Sequence, residues 1–187
     1  MKLPTLLLII DRDGTLILND DFPGREKNWP ESVVLNKPVV ELISYLKEKF
    51  DTTSIVVSNQ AGIAHGYFNI GTVQSINMYI DKELKKQGLN IDSWQFCPHV
   101  DEHYKRKYPT VNFVTEFLSE KTKRKPSPDM VFDGLKELKK DIVDFDEIIV
   151  LGNNKVDSDL ADNLNSMFIN VTNKTRDQLI SEISNTN

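Results

Sequence analysis

Several features are scarce in this chain of 187 residues, and each scarcity narrows the class of protein. Cys97 is the single cysteine, so an intrachain disulfide is excluded. No apolar run approaches the roughly 20 residues that cross a bilayer. Basic residues do not predominate, and the formal net charge of −5 argues against a dedicated binder of nucleic acid or membrane surfaces. The first apolar run also lacks a small-residue cleavage site after it, so we expect a protein of the reducing cytoplasm.

The rest of the composition is that of an ordinary globular protein. Charged residues make up 27% of the chain and aromatic residues 9%. A chain of this length buries the core of one α/β domain but is too short for two comfortable ones. No repeat, linker or low-complexity tract divides it. We therefore expect a single domain over residues 1–187.

Residues 6–16 are the stretch around which the chain is organised. The run Leu-Leu-Leu-Ile-Ile ends abruptly at Asp11, and Asp13 follows two positions later. A short run that is apolar at every position is typical of a parallel strand buried on both faces. Ligands bind at the carboxyl ends of such strands, so both carboxylates are expected in a crevice, with Gly14 turning the chain. Two close carboxylates favour a divalent cation, and oxygen ligands favour Mg²⁺. The alternative is a surface turn.

The string Asp-Arg-Asp-Gly-Thr-Leu resembles the first motif of the haloacid dehalogenase (HAD) superfamily of phosphotransferases. The resemblance implies that Asp11 attacks the phosphoryl group to form an aspartyl-phosphate. It also implies that Asp13 protonates the leaving group and later activates water. Asp11 suits its role, because an ordinary Asp, with a pKa of about 3.9, is anionic at neutral pH without an activating base.

A second strand, predicted at residues 53–57, runs into Ser58 and Asn59. Such residues at a strand end are often only turn formers. In the HAD superfamily, however, the Ser or Thr here hydrogen-bonds the phosphoryl group, which implies a phosphate-binding role for Ser58 with Asn59. The longer string Ser-Asn-Gln-Ala-Gly-Ile-Ala-His-Gly-Tyr-Phe resembles the branch of histidinol-phosphate and heptose bisphosphate phosphatases. His65 stands where that branch usually has Arg, and it is not expected to act as a catalytic base.

The cations of the site are expected in residues 123–130, Lys-Arg-Lys-Pro-Ser-Pro-Asp-Met, ahead of a helix whose start the prolines fix. HAD enzymes carry a lysine just before this helix, where it neutralises the nucleophile and the phosphate. An Arg-Lys pair followed by Pro is typical of the narrower branch. The resemblance therefore assigns the charge role to Lys125 and contact with phosphate or substrate to Arg124. An isolated surface lysine is the alternative.

The fourth motif region follows a strand predicted at residues 148–151. The family form is Gly-Asp, three residues, then Asp. Asp157 supplies the second acid, but Asn153 replaces the first, which is normally a direct magnesium ligand. Its amide oxygen can still coordinate a hard cation, although without a formal charge. The implied magnesium site comprises Asp11, Asp13, Asn153 and Asp157.

Residues 100–125 depart from the family pattern and are expected to be an insertion or small cap. They hold seven basic and four acidic residues, a net charge of +3 that either steers an anionic substrate or is simply solvated. The centre, residues 110–118, is expected to be a strand or short helix over the substrate. Cys97 and His99 resemble the start of the zinc-binding loop of the branch, and His103 is a nearby third candidate ligand, but the two later cysteines of that loop are missing. A buried thiol is therefore favoured over zinc.

The expected fold is a HAD-type α/β three-layer sandwich, a mostly parallel, Rossmann-like sheet with helices on both faces. A loop or flap is expected at residues 17–35. Further helices are predicted at 36–51, 72–89, from 130, at 158–165 and at 175–183, and further strands at 91–96 and 168–171.

The leading functional hypothesis is a Mg²⁺-dependent phosphatase for a small phosphorylated metabolite, either a sugar phosphate or histidinol phosphate. Two alternatives stay open. One is a phosphatase for phosphorylated nucleic-acid ends, which the basic insertion favours and the acidic remainder of the chain disfavours. The other is a non-catalytic phosphate-binding domain whose metal site has decayed at Asn153.

Overall fold

The computed structural model describes residues 2–19 and 22–184. Within them, five strands form one sheet in the order β3-β2-β1-β4-β5, and each neighbouring pair is parallel. The strands are β1 (Thr5–Asp11), β2 (Asp51–Asn59), β3 (Ser93–Cys97), β4 (Glu147–Gly152) and β5 (Met167–Asn170). β1 is therefore the central strand, as its apolar run predicts.

The helices pack on the two faces of this sheet or lie in the segments beyond its carboxyl edge. They are α1 (Trp29–Ser32), α2 (Lys37–Lys49), α3 (Ala61–Ala64), α4 (Ile70–Lys85), α5 (Glu102–Arg106), α6 (Asp129–Glu137), α7 (Lys155–Asn163) and α8 (Arg176–Ser184). Two 3₁₀ turns cover Thr115–Phe117 and Ile142–Asp144. No helix in the described ranges has the length and apolar character needed to cross a membrane.

The side chains of β1 alternate between two hydrophobic cores. Leu6, Leu8 and Ile10 pack in a core that contains residues of α2, α4 and α8. Leu7 and Ile9 pack in a second core with residues of α6 and α7. Successive residues of a strand face opposite sides of the sheet, so only a strand that is apolar at every position can serve both layers. The predicted three-layer α/β architecture is confirmed.

Helix starts differ from the prediction where a cap, rather than apolar periodicity, sets the boundary. α4 begins at Ile70 instead of residue 72, because the Asn69 side chain accepts a hydrogen bond from the N–H of Thr72 (2.9 Å). α7 begins at Lys155 instead of residue 158, because the Asn154 side chain caps its first turn. Such caps satisfy N–H groups that have no partner inside the helix.

The loop predicted at residues 17–35 contains more structure than expected. Ile17 and Leu35 form an antiparallel bridge, and α1 lies between them. Residues 20 and 21 of this segment lie outside the described residues. Asn36 occupies the N-cap position of α2 as predicted, but its side chain does not cap the helix. Its amide instead donates to the carbonyl oxygen of Thr15 (2.9 Å), which ties the loop to the start of the helix.

Strand boundaries also shift, because pairing between strands sets them. β2 pairs with β1 from Asp51 onwards, two residues before the predicted start. β3 begins at Ser93 instead of residue 91, since Asp92 turns its carboxylate to the N–H of Ser54 in β2 (2.7 Å). α4 ends at Lys85, four residues before its predicted end at residue 89. The other predicted helices and strands lie within two residues of the observed bounds.

Candidate active site

Polar side chains from three neighbouring strand ends meet at the carboxyl edge of the sheet. Asp11 ends β1, Ser58 and Asn59 end β2, and Asn153 follows β4. These residues line a cleft of about 480 Å³, a size typical of small-molecule sites. The predicted residues Asp13, Arg124 and Lys125 line the same cleft.

Lys125 is the buried cation of the site. Its Nζ donates to Oδ1 of Asp11 at 2.5 Å and to Oδ1 of Asp157 at 2.7 Å. All three side chains are buried. Burial opposes the charge of this ammonium group, but Asp11 and Asp157 outweigh that effect and raise the pKa of Lys125. The lysine is therefore charged at neutral pH and holds two carboxylates in place.

Asn59 fixes the backbone of Lys125. Its Oδ1 accepts from the N–H of Lys125 at 2.9 Å, and its Nδ2 donates to the carbonyl oxygen of Lys125 at 3.2 Å. Both ends of the amide are thus engaged within the protein. The expected contact between Asn59 and phosphate is replaced in this arrangement by a contact that positions the lysine.

Asp157 lies in the first turn of α7, behind the lining of the cleft. Besides the bond to Lys125, its Oδ2 accepts from the backbone N–H groups of Asn153 (3.2 Å) and Asn154 (3.4 Å). The end of β4 passes so close that a Cβ atom on Gly152 would lie 2.3 Å from the Cβ of Asp157. Only glycine at this position allows the carboxylate to reach Lys125.

Asp13 is held by four donated hydrogen bonds. Arg12 is fully buried and donates through Nε to Oδ1 (2.8 Å) and through Nη2 to Oδ2 (3.0 Å). Ser58 Oγ (3.1 Å) and Gln60 Nε2 (2.6 Å) also donate to Oδ2. The remaining Arg12 contact runs from Nη1 to Oδ1 of Asn77 in α4 (2.9 Å). Because all three side chains donate, Asp13 acts only as an acceptor in this arrangement.

Asp11 carries the open oxygen of the site. Among the described residues, its Oδ2 is one of three buried side-chain polar atoms without a hydrogen-bond partner. Burial raises the pKa of Asp11 to about 6; the charge of Lys125 opposes this rise, and Asp157 and Asp13 add to it. A buried, unpartnered carboxylate oxygen is costly unless a cation or donor meets it. This oxygen therefore fits a hard cation such as Mg²⁺.

The described residues contain no group of three or more His, Cys, Asp or Glu side chains placed to hold a metal ion. The carboxylate oxygens of Asp13 and Asp157 already accept bonds from protein groups, which leaves Asp11 as the acid with a free oxygen. The Cys97 thiol is buried and faces the carbonyl oxygen of His99 (3.8 Å), and burial raises the pKa of Cys97. Cys97, His99 and His103 are thus not gathered as a zinc site.

Residues 100–118 fold over α3 as an aromatic cap. The 3₁₀ turn Thr115–Phe117 takes the place of the strand or short helix expected at 110–118, and the N–H of Val114 donates to the carbonyl oxygen of Ala64 (2.8 Å). His65 is buried in the cap, and its Nε2 lies 3.0 Å from the hydroxyl of Tyr104. Burial, with a smaller effect of Arg124, lowers the pKa of His65. Its place in this packed cluster indicates a structural role.

The basic residues of this segment are less free than their number suggests. Lys105 pairs with Glu102 at 2.6 Å, and Lys123 pairs with Asp133 on α6. The guanidinium of Arg124 lies over the ring of Tyr104, 4.9 Å from its centroid. A charge that is paired or stacked contributes less to long-range steering of an anion.

Three residues of the site were missed from the sequence: Arg12, Gln60 and Asn77. Gln60 follows Ser58 and Asn59 in the quoted motif string, so its position was an available signal. Arg12 lies between the two aspartates, but nothing local indicates that its side chain turns inward. Asn77 is 65 residues away from Arg12 and appears in the sequence only as a polar residue in a helix.

No protein-family model matches the chain. The D-glycero-beta-D-manno-heptose-1,7-bisphosphate 7-phosphatase of Rhodopseudomonas palustris is 28% identical over 154 residues, which are 81% of this chain and 75% of that protein. The Haemophilus influenzae protein of the same name is 28% identical over 134 residues, which are 72% of this chain and 65% of that protein. A probable heptose-1,7-bisphosphate 7-phosphatase of Thermoplasma volcanium is 33% identical over 96 residues, 51% of this chain and 62% of that protein. The chain thus covers less than two thirds of the last two relatives.

Two solved structures share the fold. D,D-heptose 1,7-bisphosphate phosphatase from B. bronchiseptica, complexed with magnesium and phosphate, aligns with a TM-score of 0.66 at 22% identity, over 97% of this chain and 87% of that one. A HAD-like phosphatase from Mesorhizobium loti also aligns with a TM-score of 0.66, at 24% identity, over 88% of this chain and 70% of that one. These identities show the fold alone. The chain is thus similar in sequence to heptose bisphosphate phosphatases, and it shares its fold with HAD-like phosphatases.

Proposed function

We propose that the chain is a Mg²⁺-dependent phosphoric monoester hydrolase for a small phosphorylated metabolite, either a sugar phosphate or histidinol phosphate. The observation that carries this proposal is the arrangement of Asp11, Lys125 and Asp157. A carboxylate with one open oxygen faces the cleft, and its other oxygen is fixed by a buried ammonium group. The names of the relatives and the fold support the same activity class.

The proposed reaction has two steps. In the first, an oxygen of Asp11 forms a bond to phosphorus while the bond from phosphorus to the ester oxygen breaks, and Asp13 donates a proton to that oxygen. In the second, water attacks the phosphorus of the aspartyl-phosphate, the bond to Asp11 breaks, and Asp13 takes the proton from water. The observed arrangement of Asp13 suits the second step, because the hydrogen bonds that its carboxylate accepts hold it in one orientation. The first step requires one of its four donors to release an oxygen for the proton.

The cationic side chains of the cleft are proposed to bind and neutralise the phosphoryl group. Lys125 reduces the repulsion between Asp11 and an incoming phosphate dianion. Ser58 lines the cleft, and its hydroxyl would turn from Oδ2 of Asp13 to donate to a phosphoryl oxygen. Arg124 lines the cleft and supplies a second positive charge. Asp11 and Asn153, with the backbone carbonyl of Asp13, are the proposed magnesium ligands. When bound, the ion supplies charge neutralisation for the phosphoryl group.

The test is hydrolysis of a generic aryl phosphate with added magnesium, followed by a panel of phosphorylated metabolites. Asp11→Asn keeps the shape of the side chain but removes the nucleophile, so turnover is expected to disappear. Asp159→Asn is the matched control, because Asp159 pairs with the exposed Lys155 outside the cleft. Substantial activity in a well-folded Asp11→Asn preparation would refute the covalent mechanism. A wild-type protein that hydrolyses no phosphoester and binds no magnesium in calorimetry would refute the enzyme itself.

A further inference from the structure

Two tyrosines give the cleft an aromatic wall. Tyr104 lies in α5, and Tyr108 lies two residues after the end of that helix. Both tyrosines line the cleft together with Asp11. Their ring centroids are 4.9 Å apart at an interplanar angle of 34°. Tyr108 is 42% exposed. A large ring that stays this open beside a phosphoryl site presents a surface for a ligand.

The wall is fixed before any ligand arrives. His65 packs against the edge of Tyr104 (5.7 Å, 89°) and of Tyr108 (5.4 Å, 77°), and the Tyr104 hydroxyl lies 3.0 Å from its Nε2. Phe113 packs on the same His65 ring (4.9 Å). Asp101 accepts from the N–H of Tyr104 (2.7 Å) and so caps α5. Stacking on rings held in this way costs little side-chain ordering.

The charges of the cleft limit how many phosphates it can hold. Of the described residues that line it, two are cationic, Lys125 and Arg124. Lys125 is already shared between Asp11 and Asp157, and Arg124 is stacked on Tyr104. One transferring phosphoryl group uses these cations. A second phosphate on the same substrate would meet rings and amides where it needs further positive charge.

We infer, on the basis of the proposed function, that the preferred substrate is a monophosphate ester whose leaving group carries an aromatic ring that stacks on Tyr108. Aromatic pairs gain stabilisation beyond the area they bury, with offset or edge-to-face rings 4.5–7 Å apart. Arg124, held against Tyr104, lies beside this platform and adds a planar guanidinium surface. Lys125 and Asp11 hold the phosphoryl end at the strand edge, so the two ends of the substrate have separate contacts.

Binding of phosphonates tests the inference without requiring turnover. Three probes are compared by calorimetry: 2-phenylethylphosphonate, 2-cyclohexylethylphosphonate and butane-1,4-bisphosphonate. The phenyl probe is expected to bind about threefold to tenfold more tightly than the cyclohexyl probe, which matches its size but lacks a π face. The bisphosphonate is expected to bind no more tightly than the cyclohexyl probe.

Two variants assign the effect to the platform. Tyr108→Ala is expected to reduce the phenyl-to-cyclohexyl affinity ratio to about one, whereas Tyr108→Phe keeps the ring and is expected to keep the ratio. Equal affinities in the wild type, a preference for the bisphosphonate, or an unchanged ratio in Tyr108→Ala would each overturn the inference. Hydrolysis of 2-phenylethyl phosphate is measured in parallel. A protein that shows the affinity ratio but hydrolyses no ester would retain the ring site and refute the proposed enzyme.

Discussion

Asp11→Asn is expected to stabilise the protein while it removes the nucleophile. In the folded state without metal, burial raises the pKa of Asp11 from 3.8 to about 6, even though Lys125 donates to one of its oxygens. The ionised carboxylate is therefore less stable in the fold than in the unfolded chain. An Asn has the same shape, can still accept from Lys125 through Oδ1, and carries no charge at the position of the unpartnered Oδ2.

The magnitude follows from the displacement of the pKa. The pKa of Asp11 rises from 3.8 to about 6 on folding. At 1.36 kcal/mol per pKa unit, ionised Asp11 lowers the free energy of unfolding by about 3 kcal/mol. For a chain of this length, that free energy corresponds to a rise in Tm of about 6–12 °C. The size of this stabilisation depends on pH. Near pH 4 and below, Asp11 keeps its proton in the folded state and the variant gains little; from pH 4 to 6 wild-type stability falls, because the unfolded chain loses the proton first. Above pH 6 the full difference is expected.

The assay is thermal unfolding in a chelator, at pH 4 and pH 7.5, with Asp157→Asn as the matched control. Both carboxylate oxygens of Asp157 accept hydrogen bonds, so an amide there loses an acceptor and is expected to cost about 1–3 kcal/mol. Added magnesium should raise the Tm of the wild type and narrow its gap to Asp11→Asn, since a ligand of the folded state stabilises it. A lower Tm for Asp11→Asn than for the wild type at pH 7.5 would refute the reasoning. An equal rise in Tm for Asp11→Asn and Asp157→Asn would also refute it.

Three further predictions follow from single contacts. Asn153→Asp restores a carboxylate beside Asp11, so the magnesium concentration needed for half-maximal turnover should fall or turnover should rise; no change in either would remove Asn153 from the metal site. Gly152→Ala forces a methyl group against Asp157 and should cost about 1–3 kcal/mol in denaturant unfolding together with activity, whereas a neutral outcome would contradict the close approach. Asn77→Ala leaves Nη1 of the buried Arg12 without its acceptor and should also cost about 1–3 kcal/mol; unchanged stability would show that this bond is dispensable.

The layout of the fold was predictable because the sequence of β1 alone indicates a central strand that is buried on both faces. A strand that is apolar at every position must be covered on both faces, and parallel strands deliver their last side chains to one edge. The placement of Asp11, Ser58 and Asn153 around one cleft follows from these two facts. Helix starts at Asn69 and Asn154 were less predictable, since the periodic apolar positions begin after the cap.

Contacts between distant segments were not predictable from pattern. Asn59 resembles a phosphate ligand in the sequence, and only the fold shows its amide closed on the backbone of Lys125. In the sequence, His65 likewise looks only like a polar residue in the place of the usual Arg of the motif. Its surroundings come from Tyr104, Tyr108 and Phe113, which are about 40 to 50 residues away in sequence and become neighbours only when the cap folds over α3.

β1 is the central strand and pairs with both β2 and β4. The ribosome synthesises these two neighbouring strands at different times. β2 ends at Asn59, but β4 begins only at Glu147, and Lys125 follows its partner Asp11 by 114 residues. At about 5–20 residues per second, roughly 7–27 s pass between the synthesis of Asp11 and that of Glu147. During that interval one edge of the Leu- and Ile-rich strand β1 is unpaired. An unpaired strand edge can pair with a strand of another chain and so start aggregation. Nascent chains halted before Glu147 are therefore the species that should recruit chaperones, and Asp11 gains its buried counter-ion only after Lys125 has been synthesised.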